Sequence, residues 1–425
     1  TIDTGELAYT KNICSDALPY LVPRPPRSYY KTGISNPQGM FATEKALLWV
    51  GVSGGNDVLS YDDGTTVTTY TLKAHTTDII RCMVDFNGKV LIFPDKKYLD
   101  YVASPKVFGN IGSGVYPADG SCPDIDYAAV YNNRVFAVKG DEVYATALGK
   151  YNDWTTLSTP LQPTDSWAAD VASKGDFKGM ATYNNHVVMF KPEFMHEQYG
   201  VRPPFRIQDL YSIGTIDNRS IEEANNRLFF ADDKNVYIYA GGEPRPVSIN
   251  LNKTFAKAVA GSDNRKYYIS AYDGTEWNLY VYDTYFNVWM REDNLQVVDF
   301  AYWKKHLYAL TSAGKIMKFN YGSETVSWEI VTDISTLNNI KTKYINEIRM
   351  RFRLEKDSEM TVYIKYDNGN WKTVKSYDNS VNTDTKLRAL TIPINPETAD
   401  RYQLKISGNG YAEIYQIIQE IRGGD

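Results

Sequence analysis

Residues 129–138 read AVYNNRVFAV, and residues 180–190 read MATYNNHVVMF. Each has an apolar or aromatic approach, an Asn-Asn pair and then a run of β-formers. Asn tolerates positive φ, so such a pair makes a tight hairpin whose twist suits the flanking strands. The apolar run behind it is short and has no polar face, the mark of a strand covered on both sides. The phrase recurs as VDFNGKVLIF (84–93), EANNRLFFA (223–231), GSDNRKYYIS (261–270) and AYWKKHLYAL (301–310), and more weakly as FATEKALLWV (41–50). Its turns begin at Thr43, Asn87, Asn132, Asn184, Asn225, Asp263 and Lys304. That recurrence of about 40–45 residues is the period of a four-stranded propeller blade.

A second turn and a further strand follow each run, as in GDEVYATAL (140–148), DDKNVYIYA (232–240), DGTEWNLYVYD (273–283) and SAGKIMKFN (312–320). No ten-residue stretch has helical periodicity before about residue 330. The expectation is an all-β chain with a β-propeller of about seven blades over residues 38–333. The weak first copy leaves six or eight open. A blade cannot cover its own faces, so neighbours must pack on it and the ring must close.

The two ends fall outside the rhythm. Residues 1–37 are expected to form an extended arm, because LPYLVPRPPRSYY (18–30) has four prolines in 13 residues. Such an arm either wraps its own subunit or contacts a neighbour. Beyond residue 333 the pattern changes to strands near 344–354, 359–366, 370–377, 386–393, 401–407 and 411–421. Asn368-Gly369 marks a hairpin between two of them. Within EIRMRFR (347–353), Ile348, Met350 and Phe352 alternate with Glu347, Arg349, Arg351 and Arg353. Residues 334–425 therefore read as a small antiparallel β-sandwich.

Composition narrows the function. The net charge of −5 removes the electrostatic driver of nucleic-acid binding. Cys14, Cys82 and Cys122 cannot make a disulfide framework and lack zinc-ligand spacing, so they read as free thiols of a reducing compartment. No run approaches the roughly 18 apolar residues of a spanning helix, so no membrane insertion is expected. TIDTGELAYT (1–10) has neither the basic start nor the apolar core of a secretory leader.

Catalytic signatures are wanting. His75, His186, His196 and His306 form no metal motif, and His186 and His306 hold equivalent places after a blade turn. There is no GxSxG, P-loop or GxGxxG. No cofactor or metal is expected, and the chain reads as non-enzymatic. The sharpest contrary hint is SYDDGTTV (60–67). It resembles the Asp-box of sialidase-type propellers, with Val67 in place of Trp; SAYDGTEW (270–277) is a rougher copy. In that family the box is a turn device, and the chemistry needs an arginine triad with a Tyr and a Glu. Arg81, Arg134, Arg206 and Arg265 are available. The acid pairs Asp62-Asp63 and Asp232-Asp233 read as turn caps.

NICSDALPYLVPRPPRSYY (12–30) resembles the opening of virion structural proteins of tailed phages and prophages of Gram-positive bacteria. Asn12, Ser15, Pro19, Leu21, Pro23, Arg24 and Arg27 hold the places of that family's opening phrase, while the segment DAL (16–18) departs from it. DRYQLKISGNGYAEIYQIIQEIRGGD (400–425) resembles the family's close. The resemblance implies a tail or head–tail stabilisation protein similar in plan to the nozzles of short-tailed phages. It would be a subunit of a homo-oligomeric ring, assembled in the host cytoplasm, carried in the virion and bound to other tail subunits. Pro19, Pro23, Arg24 and Arg27 are then candidates for an assembly arm. The alternative is a glycan-binding or glycan-cleaving propeller with a carbohydrate-binding module, using aromatics such as Trp154, Trp167, Trp277, Trp289 and Trp371. A host scaffold propeller is a third possibility.

Overall fold

The structure, a computed structural model, describes residues 7–335, 343–379, 388–394 and 397–423. It contains seven four-stranded antiparallel sheets, one for each turn of the sequence rhythm. Their first strands are Met40–Ala42, Cys82–Phe86, Tyr127–Tyr131, Gly179–Tyr183, Glu222–Ala224, Lys257–Ser262 and Val297–Trp303. Six sheets take their strands in chain order. The seventh runs Val297–Trp303, His306–Thr311, Ile316–Lys318 and then Ser28–Lys31, so its fourth strand comes from the far end of the chain. First strands touch around the ring, with the 3-10 turn Asn218–Ser220 beside the fourth, and Val297–Trp303 touches Met40–Ala42. The chain is an all-β propeller of seven blades followed by a small β-sandwich.

The repeated phrase does what its chemistry dictates. Asn132 and Asn133 have φ of 47° and 56°, Asn184 and Asn185 46° and 62°, Asn225 and Asn226 49° and 56°. Two positive values in a row define the hairpin turn that matches strand twist. Even Lys304 and Lys305 adopt it, at 46° and 65°. The turns also latch onto each other: Asn87 Nδ2 donates to Asn133 Oδ1 at 2.9 Å, and Asn225 N to Asn264 O at 2.8 Å.

The strand after each turn is buried on both faces because successive side chains enter different inter-blade cores. Val187 and Met189 pack with Phe136 and Val138 of the third blade, whereas Val188 and Phe190 pack with Leu228 and Phe230 of the fifth. Leu91 and Phe93 similarly meet Val135 and Ala137, while Val90 and Ile92 meet Leu48 and Val50. Leu47 and Trp49 of the first blade pack with Tyr308 and Leu310 of the seventh, which closes the core as a ring.

By proximity the chain falls into two units. One holds Tyr29–Trp277 and Leu295–Lys318; the other holds the described residues up to Ser28, Asn278–Asn294 and those from Phe319 onward. In the second unit, a five-stranded sheet runs Leu7–Lys11, Ser327–Thr332, Tyr402–Asn409, Glu359–Tyr366, Lys372–Asp378. A three-stranded sheet runs Arg388–Pro393, Lys343–Leu354, Ala412–Gly423. Ile348, Met350 and Phe352 from one sheet and Met360, Val362, Ile364, Leu404 and Ile406 from the other share one core.

The expected domain limits move. Leu7–Lys11 is a sandwich strand, Ser28–Lys31 a blade strand, and Ser327–Thr332 pairs with Tyr402–Asn409 in the sandwich. The arm is thus not a separate element, and the second limit lies near residue 319 instead of 333. SWEIVT (327–332) lies between Leu7–Lys11 and Tyr402–Asn409, partners too far along the chain for a local pattern to reveal.

Candidate functional site

The residues of the opening phrase meet in one buried network. Asn12 takes a φ of 55°, which Asn tolerates better than most residues. Its Nδ2 donates to Ser327 O at 2.7 Å and its Oδ1 accepts from Arg24 Nε at 2.9 Å. Ser15 Oγ donates to Asp283 Oδ2 at 2.6 Å. Arg24 makes a two-pronged pair with Glu324, Nη1–Oε2 3.0 Å and Nη2–Oε1 3.1 Å. Arg27 donates from Nη1 to Asp293 Oδ2 at 2.7 Å and from Nη2 to Glu292, and its guanidinium lies 4.2 Å from the centre of the Phe319 ring. Burial alone would lower the Arg27 pKa; Glu292 and Asp293 outweigh it and raise the value. Burial pushes the Glu324 carboxyl up, and Arg24 pulls it below its ordinary range.

Arg24 and Arg27 are each only 5% exposed and Pro23 is buried. Of the four residues foreseen as an assembly arm, these three are turned inward, with the charges of the two arginines paired inside their own unit. Pro19 is exposed and stands next to Tyr20, 41% exposed, whose ring is 4.4 Å from that of Tyr415. The arm's outward face is Pro19-Tyr20.

The hub of the ring holds a second cluster that the sequence reading missed. Asp299 Oδ2 accepts from Met40 N at 2.8 Å and Oδ1 from Phe300 N at 2.9 Å, so this carboxylate braces the seventh blade against the first. Arg219 pairs with Asp217, Nη2–Oδ2 2.7 Å, and donates from Nη1 to Val298 O at 3.0 Å. Glu222 sits on the fifth blade's first strand and accepts no hydrogen bond from a described side chain. Burial pushes its carboxyl up to about 8, with Asp299 adding to the rise. Burial likewise lifts Asp299 to about 7, against the pull of the Met40 amide and Arg219. Both acids are thus shifted upward, Glu222 the further of the two. Asp299 stands five residues before its turn pair, the place that Cys82 and Tyr127 hold on their blades' first strands, whereas Glu222 stands three before its own, so spacing does not join the two acids.

The Asp-box-like stretches are turns. Asp63 Oδ1 accepts from Thr65 N and Thr66 N, both at 2.8 Å, between the third and fourth strands of the first blade. Asp273 Oδ1 accepts from Thr275 N at 2.9 Å and Glu276 N at 3.0 Å. Asp232 caps the same kind of turn through Lys234 N and Asn235 N. The four arginines lie in different blades. Arg81 is held by Asp57 at 2.5 Å and Asp95 at 2.8 Å, and Arg134 by the carbonyls of Pro163 and Asp165 at 2.6 Å. Arg206 and Arg265 are exposed. Of the tryptophans, Trp154 is core, Trp167 packs on Phe205, Trp277 on Tyr272 and Trp289 on Tyr282. Trp371 lies beside Lys405, 5.1 Å from its ammonium. The three cysteines are free, and burial pushes the Cys82 thiol up to about 11 and Cys122 up to about 12. Among the described residues, no helix is long and apolar enough to cross a membrane, and no group of three or more His, Cys, Asp or Glu is placed to hold a metal.

No family model and no curated protein matches the chain. Among solved structures it is similar to the computationally designed Ika8 protein at 10% identity, covering 68% of this chain and 98% of that one, with a TM-score of 0.41. It is similar to the AfRom2 CNH domain at 8% identity, covering 70% and 100%, with a TM-score of 0.41. It is also similar to an exo-beta-1,3-galactanase from Phanerochaete chrysosporium at 7% identity, covering 90% and 96%, with a TM-score of 0.28. Likenesses this distant say nothing of what the chain does.

Proposed function

We propose that this chain is a non-enzymatic structural subunit of a tailed-phage particle, a ring component of the tail or head–tail junction. It is made in the host cytoplasm, carried in the virion, and acts through contacts with its own copies and with other tail subunits. One observation carries the reading. Asn12, Arg24 and Arg27, spread along the phrase that resembles the virion family, close into one ion-paired network, and Ser15 of the same phrase bonds Asp283. This is the behaviour expected of a phrase that serves a shared fold, and it supports the reading.

The surface adds support. Tyr20, Tyr29, Tyr285, Tyr302 and Tyr321 are exposed, Tyr285 at 75%. Tyrosine brings a large apolar area with a polar tip at small entropic cost, which suits contact between subunits. Ring contacts are heterologous and must close by rotation.

The test is the mass of the untagged protein, by light scattering and native mass spectrometry over a concentration series. The expected result is a closed oligomer that weakens in Tyr285→Ala or Tyr20→Ala. A strict monomer, both alone and mixed with the portal complex of the phage encoding it, overturns the proposal.

A further inference from the structure

The five-stranded sheet turns one face to the sandwich core and the other outward. Strand register decides what the outward face displays. Lys11, Glu329, Ser407, Thr361 and Ser376 lie side by side across all five strands. On one flank of this row stand Ser327, Asn409 and Glu359; on the other, Val331, Lys405 and Tyr363. A cavity of about 340 Å³ opens along these rows, lined by Lys11, Glu329, Glu359, Tyr363, Ser407 and Asn409. Ligand pockets begin at about 300 Å³.

The donors and acceptors alternate in kind. Lys11 and Lys405 only donate, Glu329 and Glu359 only accept, and Thr361 and Ser407 do both. Lys405 Nζ stands 4.7 Å from the centre of the Tyr363 ring, 5.1 Å from that of Trp371 and 3.8 Å from Glu329 Oε2. Two rings therefore stand on one side of the strip of mixed polar groups, Tyr363 in the lining and Trp371 beyond Lys405. A sugar matches both features: each hydroxyl donates and accepts, and its C–H face packs on an aromatic ring. Charge narrows the class. Lys11 and Lys405 are interleaved with Glu329 and Glu359, so a polyanion meets two carboxylates and a polycation two ammonium groups.

We propose that this groove binds a neutral oligosaccharide through Tyr363, Trp371 and the row from Lys11 to Thr361. The site goes beyond the assembly role and stands or falls without it. The test is a glycan array probed with the full-length chain, followed by calorimetric titration with chitotetraose, cellotetraose and maltotetraose. The expected result is binding of a neutral glycan that Tyr363→Ala and Trp371→Ala each weaken on the order of tenfold or more. Thr361→Arg, which fills the groove floor from a half-exposed position, should abolish it while the melting curve stays that of the parent. Three results overturn the proposal: no neutral glycan bound, binding that survives all three substitutions in folded protein, or preference for polyanionic glycans.

Discussion

Arg27→Met retains an unbranched apolar side chain beside Phe319 and deletes the charge. Glu292 is 5% exposed, so its carboxylate would be left buried without the Arg27 guanidinium; Asp293, partly exposed, can turn to water. Removing one partner of a buried ion pair costs about 3–5 kcal/mol, nearly all of it the stranded charge. Loss of the guanidinium–ring contact adds on the order of 1 kcal/mol, part of which the Met sulfur restores. The expected destabilisation is therefore about 3–5 kcal/mol. Adding Glu292→Gln should recover roughly half of it, for a coupling of about 2 kcal/mol in the double-mutant cycle. The assay is urea denaturation followed by tryptophan fluorescence, where buried Trp328 reports on the sandwich core. It must be run at fixed subunit concentration, since the proposed assembly would contribute to apparent stability. A change within about 0.5 kcal/mol would refute the network as a structural staple. Unchanged stability with a lost oligomer would do so more sharply, because it would put Arg27 between subunits.

Glu222→Gln should change how stability varies with pH. The folded chain keeps the Glu222 proton to about pH 8, whereas an unfolded chain releases it near 4.5, so this group's contribution falls as pH rises between those values. After discounting for a site that is not fully buried, the variant should exceed the parent by about 1–2 kcal/mol at pH 9 and match it at pH 4; a difference independent of pH refutes this. Asn185→Val places a β-branched residue at a φ of 62° and should cost about 1–3 kcal/mol by thermal melting, while Asn185→Gly should stay within about 1 kcal/mol of the parent. Gly314→Ala should be worse than either, because its Cβ would lie 2.0 Å from Ile34 O at a φ of 69°. A melting temperature lowered by less than about 2 °C would contradict that geometry.

What could be read from the chain was what is local. An Asn-Asn pair dictates its own turn, and a blade repeats its turn at every period, so the blade number and the sandwich strands were visible. Ring closure was not. Ser28–Lys31 sits in a proline-rich stretch and becomes a strand only because Ile316–Lys318 offers it an edge. The opening phrase stood out as unusual, but its purpose did not, since Arg24 and Glu324 are 300 residues apart in sequence. The hub acids were obscure for another reason. One acid in a short strand is unremarkable until the ring sets Asp299 near Glu222.

The closing strand has a history as well as a place. Ser28–Lys31 leaves the ribosome before the first blade, and its partner Ile316–Lys318 emerges last of the ring. At about 5–20 residues per second, the wait is on the order of 15–60 s. Throughout it, six blades' worth of chain folds beside an unclaimed strand with free hydrogen-bonding edges. Chains growing on the same message carry identical strands close by. A seat left open that long can be filled by a neighbour's strand, so the expected misassembly of this fold is an exchange of Ser28–Lys31 between copies. Crowded, rapid synthesis should yield more exchanged dimer than slow, dilute refolding of the same chain.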